Sequence, residues 1–467
     1  MNLRRKFLLG AGGAGALSAL NTVVPIAGQG LFADLQRITA AAGDAVIGNA
    51  HAQAAEDYKA LVCIFMFGGN DANNMVIPMD PSQYALYQRA RGPLTLATKD
   101  ILPIAPSNTG GVPYALHPAM SGMQTLFKGG KAAVIANVGP LAVPTTKAQI
   151  MAREVALPPN LYSHSDQQAQ WQSSISDGTG RTGWGGRIGD LVQALNTNRG
   201  TTCVSLAGNN LWQTGATLTS YKVSPSGNFG FDFYKQNSND PVSVSVGEIL
   251  ASQRQHPFEQ AWLTVIQRAL ENQRVIAQAV TAQQTQSTFP NTGLGNQLKM
   301  AARLISARGA LGVKRQTFFC SIGGFDTHGD DQLQRQQQLL GEVSAAMAAF
   351  YDATVTMGVA DKVTTFTASD FCRNLQSNGK GSDHAWGSHH LIAGGAVKGA
   401  AMYGTFPNLT LGGPDDINNT GVWIPTTAVD QYAGTLAKWF GVAPADMPAV
   451  IPNLTKFTPA DMGFMTI

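Results

Sequence analysis

Three short apolar runs in this 467-residue chain each deliver an aspartate just beyond their ends. Run 61–67 leads into Gly68-Gly69-Asn70-Asp71, run 317–322 into Gly323-Gly324-Phe325-Asp326-Thr327-His328, and run 363–368 into Ser369-Asp370-Phe371-Cys372-Arg373. Like charges repel in a dry site, so carboxylates from three strands converge cheaply only around a cation. The histidines point the same way. His164 lies in Ser163-His164-Ser165-Asp166, His328 in Asp326-Thr327-His328, and three more in Asp383-His384-Ala385-Trp386-Gly387-Ser388-His389-His390. Mixed Asp and His donors suit Zn, Mn or a similar divalent ion. Two such ions sharing one set would clamp an oxyanion between them.

Each element has a plain structural alternative. Gly-Gly before Asp71 is a common turn. Asp326-x-His328 also fits a helix cap beside a polar neighbour. Asp383-His384 fits a surface pair, and adjacent His389 and His390 point different ways on any regular element, so at most one joins a site. The repetition at successive strand ends is what favours a metal centre. Ser165 precedes a helical pattern through Trp171. A helix dipole and a nearby metal would favour its alkoxide as a nucleophile; equally, Ser163 or Ser165 caps that helix. Arg373 either grips an anionic group bidentately or pairs with a structural carboxylate. The Gly-x-Ser-x-Gly elbow of serine esterases is absent. So is the phosphate-binding loop G-x-x-x-x-G-K-[ST].

The elements that must place these residues are legible in the pattern. Runs 61–67, 132–138, 202–207, 317–322 and 363–368 are continuous, apolar and β-branched, as in strands buried on both faces of a parallel sheet. Residues 256–285 and 331–356 carry apolar side chains at three- and four-residue steps, as amphipathic helices do. Strands alternating with helices predict an α/β fold: a mainly parallel central sheet with helices on both faces. Ligands of open parallel sheets bind beyond the strands' carboxyl ends, where the aspartates fall. Segment 207–240, rich in Asn, Ser, Gly and aromatics, reads as a loop-rich insertion and a possible cap over the site.

The first residues, with Arg4-Arg5-Lys6-Phe7-Leu8 before a weakly apolar Gly-rich stretch, resemble a twin-arginine export signal. Residues 1–52 are therefore expected to be an address read by the twin-arginine translocase, and residues 53–467 one domain working in the periplasm or outside the cell. No stretch is long and apolar enough for a membrane span. Charged residues are only 13% of the chain and the formal charge is +3. That excludes a charge-rich disordered protein, and nothing suggests nucleic acid as a partner. Of the four cysteines, Cys63, Cys203 and Cys320 sit in apolar runs, so buried free thiols are expected; disulfides are the alternative.

FMFGGNDANNMVIP, YSHSDQQAQWQ, GGFDTHGDDQ, and ASDFCR with NGKGSDHAWGSHHLIAGGAVKG occur in the order seen in exported bacterial proteins of domain of unknown function 1501. The chain resembles that family, which is grouped with the alkaline phosphatase-like superfamily of phosphatases, sulfatases, phosphodiesterases and phosphoglycerate mutases. The resemblance implies an alkaline phosphatase-like fold with metal ligands at strand ends. By it, Asp71 matches the first-strand metal aspartate, Asp326 and His328 the later Asp/His pair, Asp370 a strand-end aspartate, and His384 the final ligand. Ser165 falls near the nucleophile's place in chain order. Two departures stand out. One residue separates Asp326 from His328 where the superfamily often has three. Phe371 replaces the histidine common after the strand-end aspartate, so that ligand is missing or supplied by His384.

The expected function is an exported hydrolase of phosphate or sulfate esters. One or two divalent ions, a Ser165 or water nucleophile, and an anion grip from Arg373, Asn73 and Asn74 would carry it. Trp184, Trp212 and Trp386 would offer a stacking surface, or pack in the core. The alternative is a non-catalytic envelope protein of the same fold that binds a glycan or a protein partner.

Overall fold

Lys59–Met66 (β1) alternates its side chains between two cores. Ala60, Val62, Ile64 and Met66 face one, and Leu61, Cys63 and Phe65 face the other. A strand buried on both faces needs helices on both, and that requirement organises the molecule. The structure is a computed structural model and describes residues 57–227, 234–235, 238–282 and 287–467. Segment 1–52, expected to be an export signal, lies outside the described residues, as do 228–233 and 236–237 of segment 207–240.

A small antiparallel sheet is formed by Val76–Pro78 (β2), Leu102–Ile104 (β3) and Tyr114–Leu116 (β4). The main sheet adds to β1 Ala132–Gly139 (β5), Cys203–Ser205 (β6), Tyr221–Lys222 (β7), Arg315–Ile322 (β8), Val363–Ser369 (β9), Ser388–Gly394 (β10), Met402–Tyr403 (β11) and Thr427–Ala428 (β12). Its order is β11-β5-β10-β9-β1-β8-β6-β7, with β12 also beside β5. Pairing is mostly parallel; β10 alone runs antiparallel to its neighbours β5 and β9.

The helices among the described residues include Ala72–Met75 (α1), Pro81–Arg91 (α2), Ser121–Lys128 (α3), His164–Ser173 (α4), Trp184–Val192 (α5), Pro257–Thr281 (α6), Gly293–Ser306 (α7), Gln332–Thr356 (α8) and Val429–Phe440 (α9). Helices α3, α7 and α8 cover one face of the sheet; α5, α9 and Trp171 of α4 cover the other. The mixed α/β architecture read from the pattern is therefore observed.

The three strands that end in aspartates are neighbours, β9-β1-β8. Their register pairs Met66 with both Ile322 and Ser369, so all three finish level. The loop after β1 then threads between the other two loops, and only glycine can do so. A Cβ on Gly68 would overlap the backbone at Asp326, and one on Gly69 would overlap the Phe371 ring. Both have positive φ, which glycine alone adopts without cost.

Several polar residues prove to be core. All four cysteines are free and buried. His389 and His390 are both buried: His389 Nδ1 accepts the Asn137 N–H and its ring stacks on Phe406, while His390 stacks near Trp171 and Tyr432. Trp184, Trp212 and Trp386 are buried too and offer no stacking surface. Trp212 meets Trp184, Phe319 and Phe366 inside the second core, and β7 pairs with β6. The described beginning of segment 207–240 thus builds the sheet edge. Among the described residues no helix is long and apolar enough to cross a membrane.

Candidate functional site

The Asp326 carboxylate sits at the level where β9, β1 and β8 end, ringed by imidazoles. His164 Nε2 lies 3.4 Å from its Oδ2, and His384 Nε2 lies 3.3 Å from its Oδ1. One ligand atom from each of His164, Asp326 and His384 falls within 4.8 Å of the others. The His164 and His384 rings are 4.4 Å apart, and the Phe371 ring packs against both.

The far nitrogens of these rings are tied down. His164 Nδ1 is 2.6 Å from Asp370 Oδ2, and His384 Nδ1 is 2.8 Å from the Tyr162 carbonyl. Both partners only accept, so each Nδ1 carries the proton and donates it. In a neutral ring that leaves a bare lone pair on Nε2. Two lone pairs then face one carboxylate at contact distance, and His164 Nε2 is buried with no hydrogen-bond partner. Acceptor against acceptor is repulsive unless a positive charge, a second proton on the ring or a cation, stands between them. The donor set, two imidazoles and a carboxylate with fixed outer partners, fits a divalent ion.

The electrostatics support this for His384. Burial, followed by the nearby Arg373 cation, pulls its imidazole below the usual value, which disfavours a second proton. His164 differs: its hydrogen bond to Asp370 outweighs burial and raises it above 6.5. Partial burial pushes the Asp326 carboxyl up, but the Arg373 guanidinium with His328 and His164 more than offsets it, so the group lies low. The sign of the pH response follows. Protonated His164 stabilises the metal-free fold fully below the unfolded value of about 6.5, and this is lost as pH rises through the higher folded value. A cation competes with that proton, so Zn²⁺ affinity is expected to rise with pH through the same raised value. Calorimetric Zn²⁺ titrations at several pH values, beside an NMR titration of the His164 ring, check both halves.

Asp370 is buried behind His164. Its Oδ2 also accepts from the Gly68 N–H at 3.1 Å and Gln168 Nε2 at 2.9 Å. Arg373 is fully buried, and its Nη2 donates to Asp326 Oδ1 at 2.6 Å. His328 Nδ1 lies 3.0 Å from Asp326 Oδ1 and 3.0 Å from Arg373 Nη2, leaving its half-exposed ring at the mouth. Asp326, His328, Asp370, Arg373 and His384 are thus brought together.

Asp71 and Ser165 are placed otherwise. Asp71 Oδ2 is paired with buried Arg91 of α2 and accepts from Gln332 Nε2 of α8 at 2.6 Å. Ser165 is exposed, and its Oγ contacts Ser163 Oγ at 3.2 Å and Asp166 Oδ2 at 3.3 Å. Asn73 binds the Arg373 carbonyl and Trp423 Nε1, while Asn74 binds the Leu94 carbonyl and Tyr87 Oη, so both amides are spent inside the fold.

The member of this His/Asp cluster not assigned from the sequence is His164. Its motif stands out, but the adjacent serines and the helix start drew the chemistry to Ser165. His164 and Gln168 are one helical turn apart and both face Asp370, but that spacing alone does not tell which way the turn faces.

Residues 58–442 match the family described as protein of unknown function (DUF1501). The chain belongs to this family. No curated protein matches this DUF1501 chain in sequence. Solved structures with some likeness include the lipoteichoic acid synthase LtaP from Listeria monocytogenes, at 7% identity over 88% of this chain and 79% of that one, TM-score 0.34. PsFucS1 sulfatase from Pseudoalteromonas sp. follows at 10% identity over 92% and 74%, TM-score 0.34. A putative sulfatase from Bacteroides thetaiotaomicron has 10% identity over 85% and 75%, TM-score 0.29.

Proposed function

We propose that this DUF1501 protein is an exported, metal-dependent hydrolase of phosphate or sulfate esters with an alkaline phosphatase-like domain over residues 53–467. The observation that carries the proposal is the convergence of one ligand atom each from His164, Asp326 and His384 within 4.8 Å of one another, with both rings held from behind by fixed acceptors. Those three residues would hold one ion, Zn or Mn by their chemistry. One ion suffices, because Asp71 already has the Arg91 guanidinium as its countercharge.

When bound, the divalent cation supplies a Lewis acid for the ester oxygen and the attacking water. The protein's own groups do the rest. Asp370 and the Tyr162 carbonyl fix the two rings, and Arg373 fixes Asp326 in its ionised form. With the ion in place, Asp326, Asp370 and Arg373 leave the centre net positive, which favours an anionic ester, including one carried on a glycan. His328, half-exposed at the mouth, would take the proton from the attacking water; its contact with Asp326 supports that reading. Water is the better nucleophile than Ser165, whose Oγ bonds to Ser163 and Asp166. Arg4 and Arg5 support export through the twin-arginine translocase to the periplasm or beyond.

The test is metal analysis of the purified full chain, then assay on aryl phosphates and aryl sulfates before and after chelation. One ion per chain is expected, with hydrolysis lost on chelation and restored by Zn²⁺ or Mn²⁺. Protein carrying stoichiometric metal that cleaves neither ester class would overturn the hydrolase assignment.

A further inference from the structure

Tyr162 has φ 73, in the left-handed region. For a bulky residue that conformation is strained, and it persists only where the surroundings impose it. Two contacts do so. The Tyr162 N–H donates to Gln167 Oε1 at 2.6 Å, and the Tyr162 carbonyl accepts from His384 Nδ1 at 2.8 Å. Gln167 is fully buried on α4, one turn after His164. Two more side chains of the same stretch stitch this loop down: Gln170 Nε2 donates to the Pro159 carbonyl at 2.8 Å, and Asn160 Nδ2 to Asp166 Oδ1 at 3.0 Å.

We propose that Gln167 is a positioning residue for the centre: by gripping the Tyr162 amide it aims the carbonyl that fixes the His384 ring. One helix then sets both imidazoles, His164 directly and His384 through the Tyr162 peptide. Without the grip, Tyr162 relaxes to negative φ and its carbonyl turns away. His384 Nδ1 then has no fixed acceptor, and its ring no longer has one enforced tautomer. Groups that orient metal-binding imidazoles typically cost about 10–100-fold in affinity when lost. The affinity part of the inference rests on the metal reading proposed above; the tautomer part does not.

The test compares wild type, Gln167→Met and Gln172→Met. Gln172 is buried on the same helix and also accepts backbone N–H groups, from Leu211 and Trp212, away from the centre. Its replacement controls for a merely structural loss. In metal-free protein, imidazole ¹⁵N spectra should show His384 as a single Nδ1–H tautomer in wild type and Gln172→Met, and as a mixture in Gln167→Met. Zn²⁺ affinity should fall about 10–100-fold in Gln167→Met and stay within a few-fold of wild type in Gln172→Met. Gln167→Asn, one methylene too short to reach the amide, carries the same expectation if Gln167→Met does not fold. An unchanged His384 tautomer and unchanged affinity in the Gln167 variants would overturn the inference. Wild type that binds no Zn²⁺, yet loses the single tautomer on Gln167 replacement, would sink the metal reading and support the role of Gln167.

Discussion

Asp326→Asn is expected to weaken Zn²⁺ binding by about 100-fold or more and to bring ester hydrolysis to background. Losing an outer partner of a metal ligand typically costs about 10–100-fold, and Asp326 is the one anionic member of the inner set. The neutral amide oxygen keeps an acceptor for Arg373 Nη2 but supplies no charge to the ion. Stability should change little by comparison. The Asp326 side chain is 46% exposed, so its ion pair with Arg373 is screened. The loss should not exceed about 1.5–3 kcal/mol, the range for a hydrogen bond to a charged group. Equilibrium urea unfolding and Zn²⁺ titration of the same preparation separate the two effects. If the variant keeps wild-type affinity and activity while unfolding early, the carboxylate is structural.

Arg91→Ala is expected to produce the largest loss of stability, about 3–5 kcal/mol. Arg91 and Asp71 are 0% and 1% exposed, so truncation strands a carboxylate that water cannot reach. The two carbonyls that Arg91 Nη1 serves, Asn374 and Leu375, lose their donor as well. Chemical denaturation measures the drop. Adding Asp71→Asn to Arg91→Met should recover much of it, because an uncharged pair removes the stranded charge. A loss below about 1 kcal/mol would mean that another positive charge balances Asp71, which contradicts a centre with one ion.

These two residues also show where the sequence was readable and where it was not. Runs 61–67, 317–322 and 363–368 stood out because strands buried on both faces must be continuously apolar, and they became β1, β8 and β9. Helical spans 256–285 and 331–356 became α6 and α8 to within a few residues. Strand β10 was hidden by His389 and His390, whose polarity suggests ligands. Aromatic stacking and one backbone N–H buried them instead. Asp326 and Asp370 stood out at strand ends and His384 in a polar motif, but Asp370, expected as a metal ligand, holds the His164 ring from behind.

Asp71 looked equivalent to the other aspartates, since nothing in its neighbourhood announces Arg91, twenty residues on, as its partner. That pairing depends on how α2 returns across the loop after β1. His164 was missed for a related reason. Its role depends on which way the first turn of α4 faces, set by Gln168 and Asp370 together, and no local spacing rule gives that direction without the sheet in place.

The most direct measurement is anomalous diffraction at the zinc absorption edge from crystals of protein loaded with Zn²⁺. A single strong peak within bonding distance of His164 Nε2, His384 Nε2 and an Asp326 oxygen, with none at Asp71, is the expected result. No peak among those three residues, or a peak at Asp71 with Arg91 displaced, would contradict the centre described.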